Sequence, residues 1–439
     1  MQNSFVFHRR LDRELPRASR AEGVWIYDTN GKKYIDASGG PICVNVGHGR
    51  QEVVEALSEQ AGKAAYVHGP MFSTDVIENL AQALAKHAPK DIQKFYFCSS
   101  GCEAVETALK LARQIHLANG HPQRYRVISR WLSYHGSTLG ALSTGGKTSM
   151  RQPFAPMLMP SIHIPAPYCL RCHYRLSYPS CGLRCALALD DAIRLEGAGT
   201  ISAFIAEPIC GSTVGAVVPP PEYYECVSEI CKTHGVLLIF DEVMTGMGRT
   251  GKWFAAEHYH AAPDMLVLGK GLNGGYLPLS AVGCRQEHVA AIRKHAGNFI
   301  HGHTFSHHAV AAAAGLKVVD ILEKENLIER AAALGNYLEN ALRPLNRNPH
   351  VADVRGCGLM WAVELVQDKQ DLKPYPRSER VVERLFDHLF AAGVITYPCA
   401  GFANGDGDAV MIGPPYIITE SELDYVIQSL QAGLEALLG

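Results

Sequence analysis

The pattern of apolar and polar residues divides the chain into strand-like and helix-like segments. Uninterrupted apolar runs, such as VLLIFDEV at 236–243, are typical of strands buried on both faces of a sheet. From about Gln51 onward, such runs alternate with segments of helical periodicity. This alternation predicts βαβ units around a largely parallel sheet, and hence an α/β fold.

The two ends of the chain follow a different pattern. Near the start, GVWIYDTNGKKYIDASGG predicts a small antiparallel hairpin with its turn at Asn30-Gly31. After Ala309 come long helices, then the strand-like MWAVELV and further helices. We therefore predict an N-terminal segment over 1–50, a large domain over 51–308, and a linking helix with a C-terminal segment over 309–439. The two terminal segments together would form a smaller α+β domain.

Composition excludes several classes of function. Of the 439 residues 47% are hydrophobic, which is enough for a substantial core, and the net charge is −2 with the two signs interspersed. We therefore expect no nucleic-acid partner and no membrane association. The N-terminus lacks the apolar run of a signal peptide, and the thirteen cysteines then suggest reduced thiols in the cytoplasm.

The strongest chemical signal is a pair of residues at the ends of two apolar strands. Asp241 ends LLIFD, and Lys270 ends DMLVLGK. If these strands are adjacent and parallel, both side chains reach one crevice at the carboxyl edge of the sheet. A Schiff-base lysine and an acid for the ring nitrogen are the protein groups that pyridoxal 5′-phosphate (PLP) requires. The alternative is a structural ion pair.

Three further segments fit the same cofactor. Gly101 and Cys102 lie at the junction between the strand KFYFCSS and a helix predicted from Glu103, where backbone amides can bind a phosphate, although a plain helix cap is the alternative. Tyr134 follows the strand RVISR and can stack on a ring, or simply pack. Glu207 ends ISAFIAEP and supplies a second acid at the same edge, or is a satisfied strand-end carboxylate.

Several other motifs favour less specific interpretations. GMGRTG at 246–251 matches a dinucleotide fingerprint, but it does not directly follow its strand and no acid lies about twenty residues on. The segment around Gly146-Lys147-Thr148 lacks the leading glycine of a phosphate loop. We interpret both as loops, and we interpret HGHTFSHH at 301–308 as a polar loop and not a metal site.

Taken in order, the motifs along nearly the whole chain resemble the class III PLP-dependent aminotransferases, the ω-aminotransferase group of fold type I. The matching segments are DTNGKKYIDASGG, SSGCEAVETALKLAR, YHGSTLGALS, AEP, IFDEVMTGMGRTGKWFAAEHYHAAPDMLVLGKGLNGGYLPLSAV, HTFSHHAVAAAA, RGCGLMWAVEL and GPPYIIT. The resemblance implies a fold type I PLP-transferase and PLP as cofactor.

The resemblance also implies roles for individual residues. The implied cofactor-binding residues are Gly101, Cys102, Tyr134, Asp241, Val243, Lys270 and Thr304. Lys270 would be the Schiff-base lysine, Asp241 the partner of the pyridine nitrogen, and Glu207 a further catalytic-site acid. Val243 and Tyr134 would contact opposite faces of the ring. Thr304 would reach the phosphate of the neighbouring subunit, which implies at least a homodimer with shared active sites.

One departure from the family pattern bears on the substrate. Members that bind an α-carboxylate often carry an arginine three residues before the Pro-Pro pair, and this chain has Met411 there. We therefore expect an amine, ω-amino acid or amino alcohol as donor and a keto acid such as pyruvate or 2-oxoglutarate as acceptor. Alternatives within the resemblance are a phospho-lyase acting on a phosphorylated amino alcohol, an amino acid epimerase, or a catalytically silent homologue.

A cysteine-rich insert is the second unusual feature. Cys169, Cys172, Cys181 and Cys185 have spacing compatible with a structural zinc site. We expect reduced thiols that pack a loop and hence no metal, with zinc and disulfides as the alternatives.

Overall fold

The computed structural model describes residues 4–89 and 91–439. Residues 1–3 of the predicted N-terminal segment lie outside the described residues. Strands within the described part are β1 (Ala18–Glu22), β2 (Trp25–Asp28), β3 (Lys33–Asp36), β4 (Ile92–Cys98), β5 (Arg126–Arg130), β6 (Ile162–Ile164), β7 (Ile201–Ala206), β8 (Leu237–Asp241), β9 (Met265–Leu268), β10 (Ser280–Arg285), β11 (Val351–Cys357), β12 (Met360–Leu365), β13 (Val394–Ile395), β14 (Tyr397–Ala403) and β15 (Asp406–Ile412).

The α-helices follow the alternation expected from the sequence. They are α1 (Gly39–Ile42), α2 (Gln51–Ala64), α3 (Asp75–His87), α4 (Gly101–Ala118), α5 (Leu139–Thr144), α6 (Thr148–Arg151), α7 (Arg184–Glu196), α8 (Tyr223–His234), α9 (Gln286–Ala296), α10 (Ala309–Lys324), α11 (Leu327–Leu342), α12 (Val381–Ala391) and α13 (Glu420–Leu438). No helix of the described residues is both long enough and apolar enough to cross a membrane.

The central sheet has seven strands in the order β4-β10-β9-β8-β7-β5-β6. Strands β9, β8, β7, β5 and β6 pair in parallel, and β10 runs antiparallel to both of its neighbours, β4 and β9. The fold is therefore α/β with a mostly parallel sheet, as predicted. Because the parallel strands end at one edge, the loops that follow them lie together at that edge.

Two smaller sheets come from the ends of the chain. The antiparallel sheet β11-β12-β15-β14 is entirely C-terminal, whereas β1-β2-β3-β13 combines the predicted N-terminal hairpin with a C-terminal strand. Val394 of β13 pairs in parallel with Ile35 of β3. This pairing joins the two terminal segments, and it supports the proposal of one small domain built from 1–50 and 309–439 against a large domain over 51–308.

Burial on both faces explains the apolar runs of the central strands. In β8, Leu238 and Phe240 belong to one buried cluster, while Leu237 and Ile239 belong to a second cluster that includes helix α4. Successive side chains of a strand point to opposite faces, so both faces of this sheet are covered. Each such side chain contributes about 1.5–3 kcal/mol by leaving water. The strand is therefore a firm support for the acid at its end.

Candidate active site

The ends of β8 and β9 place the predicted acid and lysine at one edge of the sheet. The two strands are parallel, and Asp241 lies opposite Val267. Lys270 follows β9 through Gly269 and adopts a left-handed backbone conformation with φ of 43°. This conformation is uncommon for a residue with a side chain and is frequent at functional sites. The sequence-based prediction that these strands are neighbours is confirmed.

Lys270 is an unpaired amine in a desolvated position. Within the described part of the chain, its Nζ makes no hydrogen bond and no salt bridge. Burial lowers the pKa of Lys270, although Cys43, Asp241 and Glu207 act electrostatically in the opposite direction. A lowered pKa increases the fraction of neutral amine, which is the form that attacks an aldehyde or accepts a proton.

Asp241 is held by two hydrogen bonds. His135 Nδ1 lies 2.7 Å from Asp241 Oδ2, and the backbone N–H of Val243 donates to Oδ1 at 3.1 Å. Both Asp241 and His135 are buried, and His135 Nε2 has no hydrogen-bond partner among the described residues. His135 therefore fixes the carboxylate from one side and leaves the site with an unsatisfied buried nitrogen.

Helix α4 points its N-terminus into the same site. Ser100 caps the helix by accepting a hydrogen bond from the N–H of Glu103 at 3.3 Å. The next residue is Gly101, where an added Cβ would lie 3.1 Å from Val243 Cγ1. Glycine at this position lets the backbone approach Val243 closely. No side chain at Gly101 covers the backbone amides at the start of the helix, and these amides can bind an anion.

Cys102 is the second residue of α4. Its Sγ accepts a hydrogen bond from the N–H of Ser137 at 3.2 Å. The side chain therefore joins the start of α4 to the loop after β5, and the backbone amides of the helix start remain available.

Glu207 is buried, and two backbone amides that the sequence did not identify satisfy its carboxylate, in line with the alternative of a satisfied strand-end acid. Tyr134 N–H donates to its Oε2 at 3.2 Å, and Gly211 N–H donates to its Oε1 at 3.0 Å. Burial raises the pKa of Glu207, while His135 and Arg130 act in the opposite direction. The Glu207 carboxylate is therefore held by backbone amides in place of an arginine, since position 411 is occupied by Met411.

These side chains line one cavity of about 170 Å³. Its lining consists of Gly101, Cys102, Tyr134, His135, Gly136, Glu207, Ile209, Ser212, Asp241, Val243, Met244, Thr245 and Lys270. All the site residues predicted from the sequence are in this set except Thr304. The Thr304 carbonyl instead accepts a hydrogen bond from Tyr66 Oη at 2.9 Å.

Sequence reasoning missed several lining residues. His135 lies within the segment YHGSTLGALS, next to Tyr134, and a histidine beside a predicted site residue was the available signal. Ile209, Ser212 and Met244 lie in loops whose side-chain directions no periodic pattern indicates. Their presence in the site follows from tertiary packing alone.

The wall beyond Glu207 is apolar. Met411 on β15 is fully buried in a cluster that includes Ile42 and Ile209, and Met244 packs against this cluster. Ile209 and Met244 also line the cavity. Ile209 and Met244 therefore give this side of the cavity an aliphatic and thioether surface, with the buried Met411 packed behind it.

The other motifs have structural positions. Arg249 of GMGRTG is buried and donates hydrogen bonds to the carbonyls of Val44, Leu359 and Pro414, so it joins this loop to the small-domain segments. The four cysteines at 169–185 are free and line a separate small cavity. In the part of the chain that is described, no group of three or more His, Cys, Asp or Glu side chains is arranged to hold a metal ion.

Comparison with known proteins identifies the family. The profile described as aminotransferase class-III matches residues 8–434. The chain belongs to the class III aminotransferases. It is 38% identical to the uncharacterised aminotransferase YodT of Bacillus subtilis, over 97% of this chain and 96% of that protein. It is 36% identical to the putrescine–pyruvate aminotransferase of Pseudomonas aeruginosa, over 96% of this chain and 91% of that protein.

A solved structure extends this similarity to the fold. An amine transaminase from an uncultivated Pseudomonas species, solved in its PLP-bound form, has a TM-score of 0.91 and 34% identity, and covers 98% of this chain and 97% of that one. The predicted fold type I architecture is thus confirmed. Class III aminotransferases depend on PLP, so this chain is a transaminase of a PLP-dependent family.

Proposed function

We propose that this class III aminotransferase binds PLP and moves an amino group from an amine, ω-amino acid or amino alcohol to a keto acid such as pyruvate or 2-oxoglutarate. The observation that carries the proposal is the unpaired, desolvated Lys270 in one cavity with the buried Asp241–His135 pair. We assign catalytic roles to Lys270, Asp241 and Glu207.

The described residues fit PLP. The first amides of α4 would hold its phosphate, and the close approach of Gly101 to Val243 leaves little space for a side chain at position 101. Asp241, fixed by His135, would hold the proton of the pyridine nitrogen. Val243 and Tyr134 both line the cavity and would contact the ring. PLP, when bound, supplies an aldehyde for the amine and a ring that withdraws electrons.

The protein residues then perform the proton chemistry. Lys270 would remove a proton from the amine-bearing carbon of the bound donor and would return a proton as general acid. Its lowered pKa leaves more of the neutral base at moderate pH. Asp241 accepts hydrogen bonds from His135 and the Val243 amide, and a carboxylate held in this way would favour a protonated pyridine nitrogen.

The choice of donor follows from Met411. A buried methionine cannot form the bidentate ion pair by which an arginine binds an α-carboxylate. The apolar cluster around Met411 instead favours donors with aliphatic substituents. The phospho-lyase and epimerase alternatives have no specific observation in their favour, whereas the curated relatives compared above are named aminotransferases.

We further propose a homodimer or higher homo-oligomer with shared active sites. Thr304 lies outside the cavity of its own chain and next to the exposed Phe305 and Tyr66. A second copy that covers this surface would bring its Thr304 to the phosphate. The cytoplasmic location expected from the sequence stays a prediction.

The test is a single-turnover experiment with the PLP-loaded enzyme. A primary amine should convert the absorbance of bound PLP to that of its amino form, and pyruvate should restore it with formation of alanine. Lys270→Ala should lower this rate by about 10⁴-fold, because it removes the proton-transferring group. The exposed Lys94→Ala serves as control and should keep the rate.

Assays of alanine and inorganic phosphate separate the enzyme classes. With a phosphorylated amino alcohol and pyruvate, release of phosphate without alanine would contradict the transaminase proposal and favour the lyase. Persistence of the PLP spectrum with every amine tested would contradict both.

A further inference from the structure

The backbone turn that carries Lys270 is strained. Lys270 begins a short 3₁₀ helix, Lys270–Leu272, and its left-handed φ of 43° is unfavourable for a residue with a Cβ atom. Such a conformation persists only where the surrounding contacts hold it in place. Within the lysine turn, defined here as residues 269–274, the Gly274 N–H donates to the Gly271 carbonyl at the long distance of 3.3 Å. A carbonyl oxygen has two lone pairs, so Gly271 can accept a second hydrogen bond from outside the turn.

Asn45 of the N-terminal segment supplies that second donor. Its Nδ2 donates to the Gly271 carbonyl at 2.8 Å, and its Oδ1 accepts from the Val46 N–H at 2.8 Å. Because one end of the amide faces an acceptor and the other faces a donor, the orientation of the side chain is determined. Asn45 is fully buried, and its main-chain carbonyl accepts from the Tyr416 N–H at 2.7 Å. Both terminal segments therefore hold Asn45 against the lysine turn.

The contact between Asn45 and the lysine turn is close. A Cβ atom added to Gly271 would lie 3.3 Å from Asn45 Nδ2, and a Cβ atom added to Gly274 would lie 3.0 Å from Asn45 Oδ1. The two glycines thus let the turn pack directly on the side-chain amide. Gly271 is covalently joined to Lys270, so a shift of the Gly271 carbonyl also shifts the backbone from which the Lys270 side chain starts.

We propose that Asn45 is a positioning residue, which holds the lysine turn so that the Lys270 amine stays at the cavity. This inference rests on the proposed function and deepens it. Within the described chain Asn45 does not line the cavity, so it acts on the reaction through Lys270 and not through the substrate. Asparagine suits this position because its amide donates and accepts at once and places no charge beside the amine.

Tyr276 provides a matched control. Its hydroxyl donates to the Gly47 carbonyl at 3.0 Å and accepts from the Arg50 N–H at 2.7 Å. Tyr276 thus connects the same N-terminal segment to the chain just beyond the lysine turn, without contacting the turn through its hydroxyl. Tyr276→Phe removes this connection, and it should lower stability without changing the reaction of Lys270.

The first test is a single turnover of PLP-loaded protein with a primary amine. Asn45→Asp keeps the shape and the acceptor for Val46, but an ionised carboxylate has no proton for the Gly271 carbonyl, and Asn45→Ala removes both hydrogen bonds. Each variant should lower the maximal rate about tenfold, as expected for one buried hydrogen bond, and leave the apparent affinity for the amine nearly unchanged. Since only Asn45→Asp adds a charge, a loss common to both variants reports on the hydrogen bond. Tyr276→Phe should keep the maximal rate.

The second test does not depend on turnover. Hydrogen exchange of the whole chain, followed by mass spectrometry, measures the backbone amides of the lysine turn directly. Both Asn45 variants should exchange these amides about tenfold faster than wild type, whereas the amides of strand β7 should keep their rate. Tyr276→Phe should leave exchange in the lysine turn unchanged.

The outcomes separate this inference from the proposed function. If both Asn45 variants keep the wild-type maximal rate, or if Tyr276→Phe loses as much as they do, the inference is wrong and the proposed function stands. A loss of rate without faster exchange in the lysine turn would also contradict it. If wild type converts bound PLP with no amine, the proposed function fails, and hydrogen exchange still decides whether Asn45 holds the lysine turn.

Discussion

At the cofactor end of the cavity, the acid is held in place by hydrogen bonds, whereas the side of the cavity near Met411 is lined by apolar groups. Asp241 ends a strand buried on both faces and accepts hydrogen bonds from His135 and the Val243 amide. Ile209 and Met244 line the cavity and pack in one apolar cluster with the buried Met411. The hydrogen bonds preorganise the cofactor end for one fixed group, whereas apolar contacts distinguish substrates mainly by their shape.

The largest expected effect is a loss of kcat when the negative charge of Asp241 at the cofactor end is removed. Asp241→Asn should lower kcat by about 10²–10⁴-fold. The protonated pyridine nitrogen would lose its carboxylate partner, and breaking a buried ion pair in this way costs roughly 3–5 kcal/mol of stabilisation. The measurement is steady-state kinetics on PLP-loaded protein. As a control, Asp264→Asn removes an acid that accepts from the Leu238 amide outside the cavity, and it should retain kcat. Equal losses of kcat in both variants would show that Asp241 contributes no more to catalysis than an acid outside the cavity.

The next prediction concerns the pH dependence of folding stability that arises from Glu242, the residue that follows Asp241. Burial raises the pKa of Glu242 to about 7, although Thr245 and the amides of Ala255 and Ala256 donate hydrogen bonds to it. The folded state retains this proton longer than the unfolded state, so stability falls as pH rises from 4.5 to about 7. The loss should be about 3 kcal/mol in the free energy of unfolding.

Denaturant unfolding across that pH range measures the effect. Glu242→Gln has no proton to lose and should lack this part of the slope. If wild type and Glu242→Gln show parallel profiles, Glu242 does not titrate in this range.

A smaller effect tests how His135 supports Asp241. His135→Ala should lower kcat by about 10–10²-fold and weaken PLP binding, because a hydrogen bond to a charged group contributes about 1.5–3 kcal/mol. His116→Ala is the matched control, since His116 is also buried but bonds the Ser202 carbonyl away from the cavity. Titration with PLP measures the affinity. An unchanged affinity and kcat in His135→Ala would mean that Asp241 is fixed without it.

The smallest expected effect is a change in donor preference when Met411, next to the apolar side of the cavity, is replaced. Met411→Arg should raise the ratio of kcat/KM for L-alanine over that for 1-phenylethylamine by about tenfold, because a guanidinium can bind an α-carboxylate. Met411→Leu keeps the apolar surface and should leave the ratio unchanged. Parallel donor kinetics on the three proteins provide the measurement. A ratio that does not rise in Met411→Arg would place the determinant of donor choice elsewhere.

The sequence alone determined the parallel sheet, the neighbouring strands of Asp241 and Lys270, and the helix after KFYFCSS, which begins at Gly101, two residues before the predicted start. These features were predictable because period-two and period-3.6 patterns and strand ends are local properties of the chain. Tertiary structure alone decided the amide partners of Glu207, the hydrogen bond from His135 to Asp241, and the position of Thr304 outside its own cavity. Apart from the local Gly211 amide, those contacts join segments far apart in sequence, and no local pattern encodes which loops meet across a sheet edge.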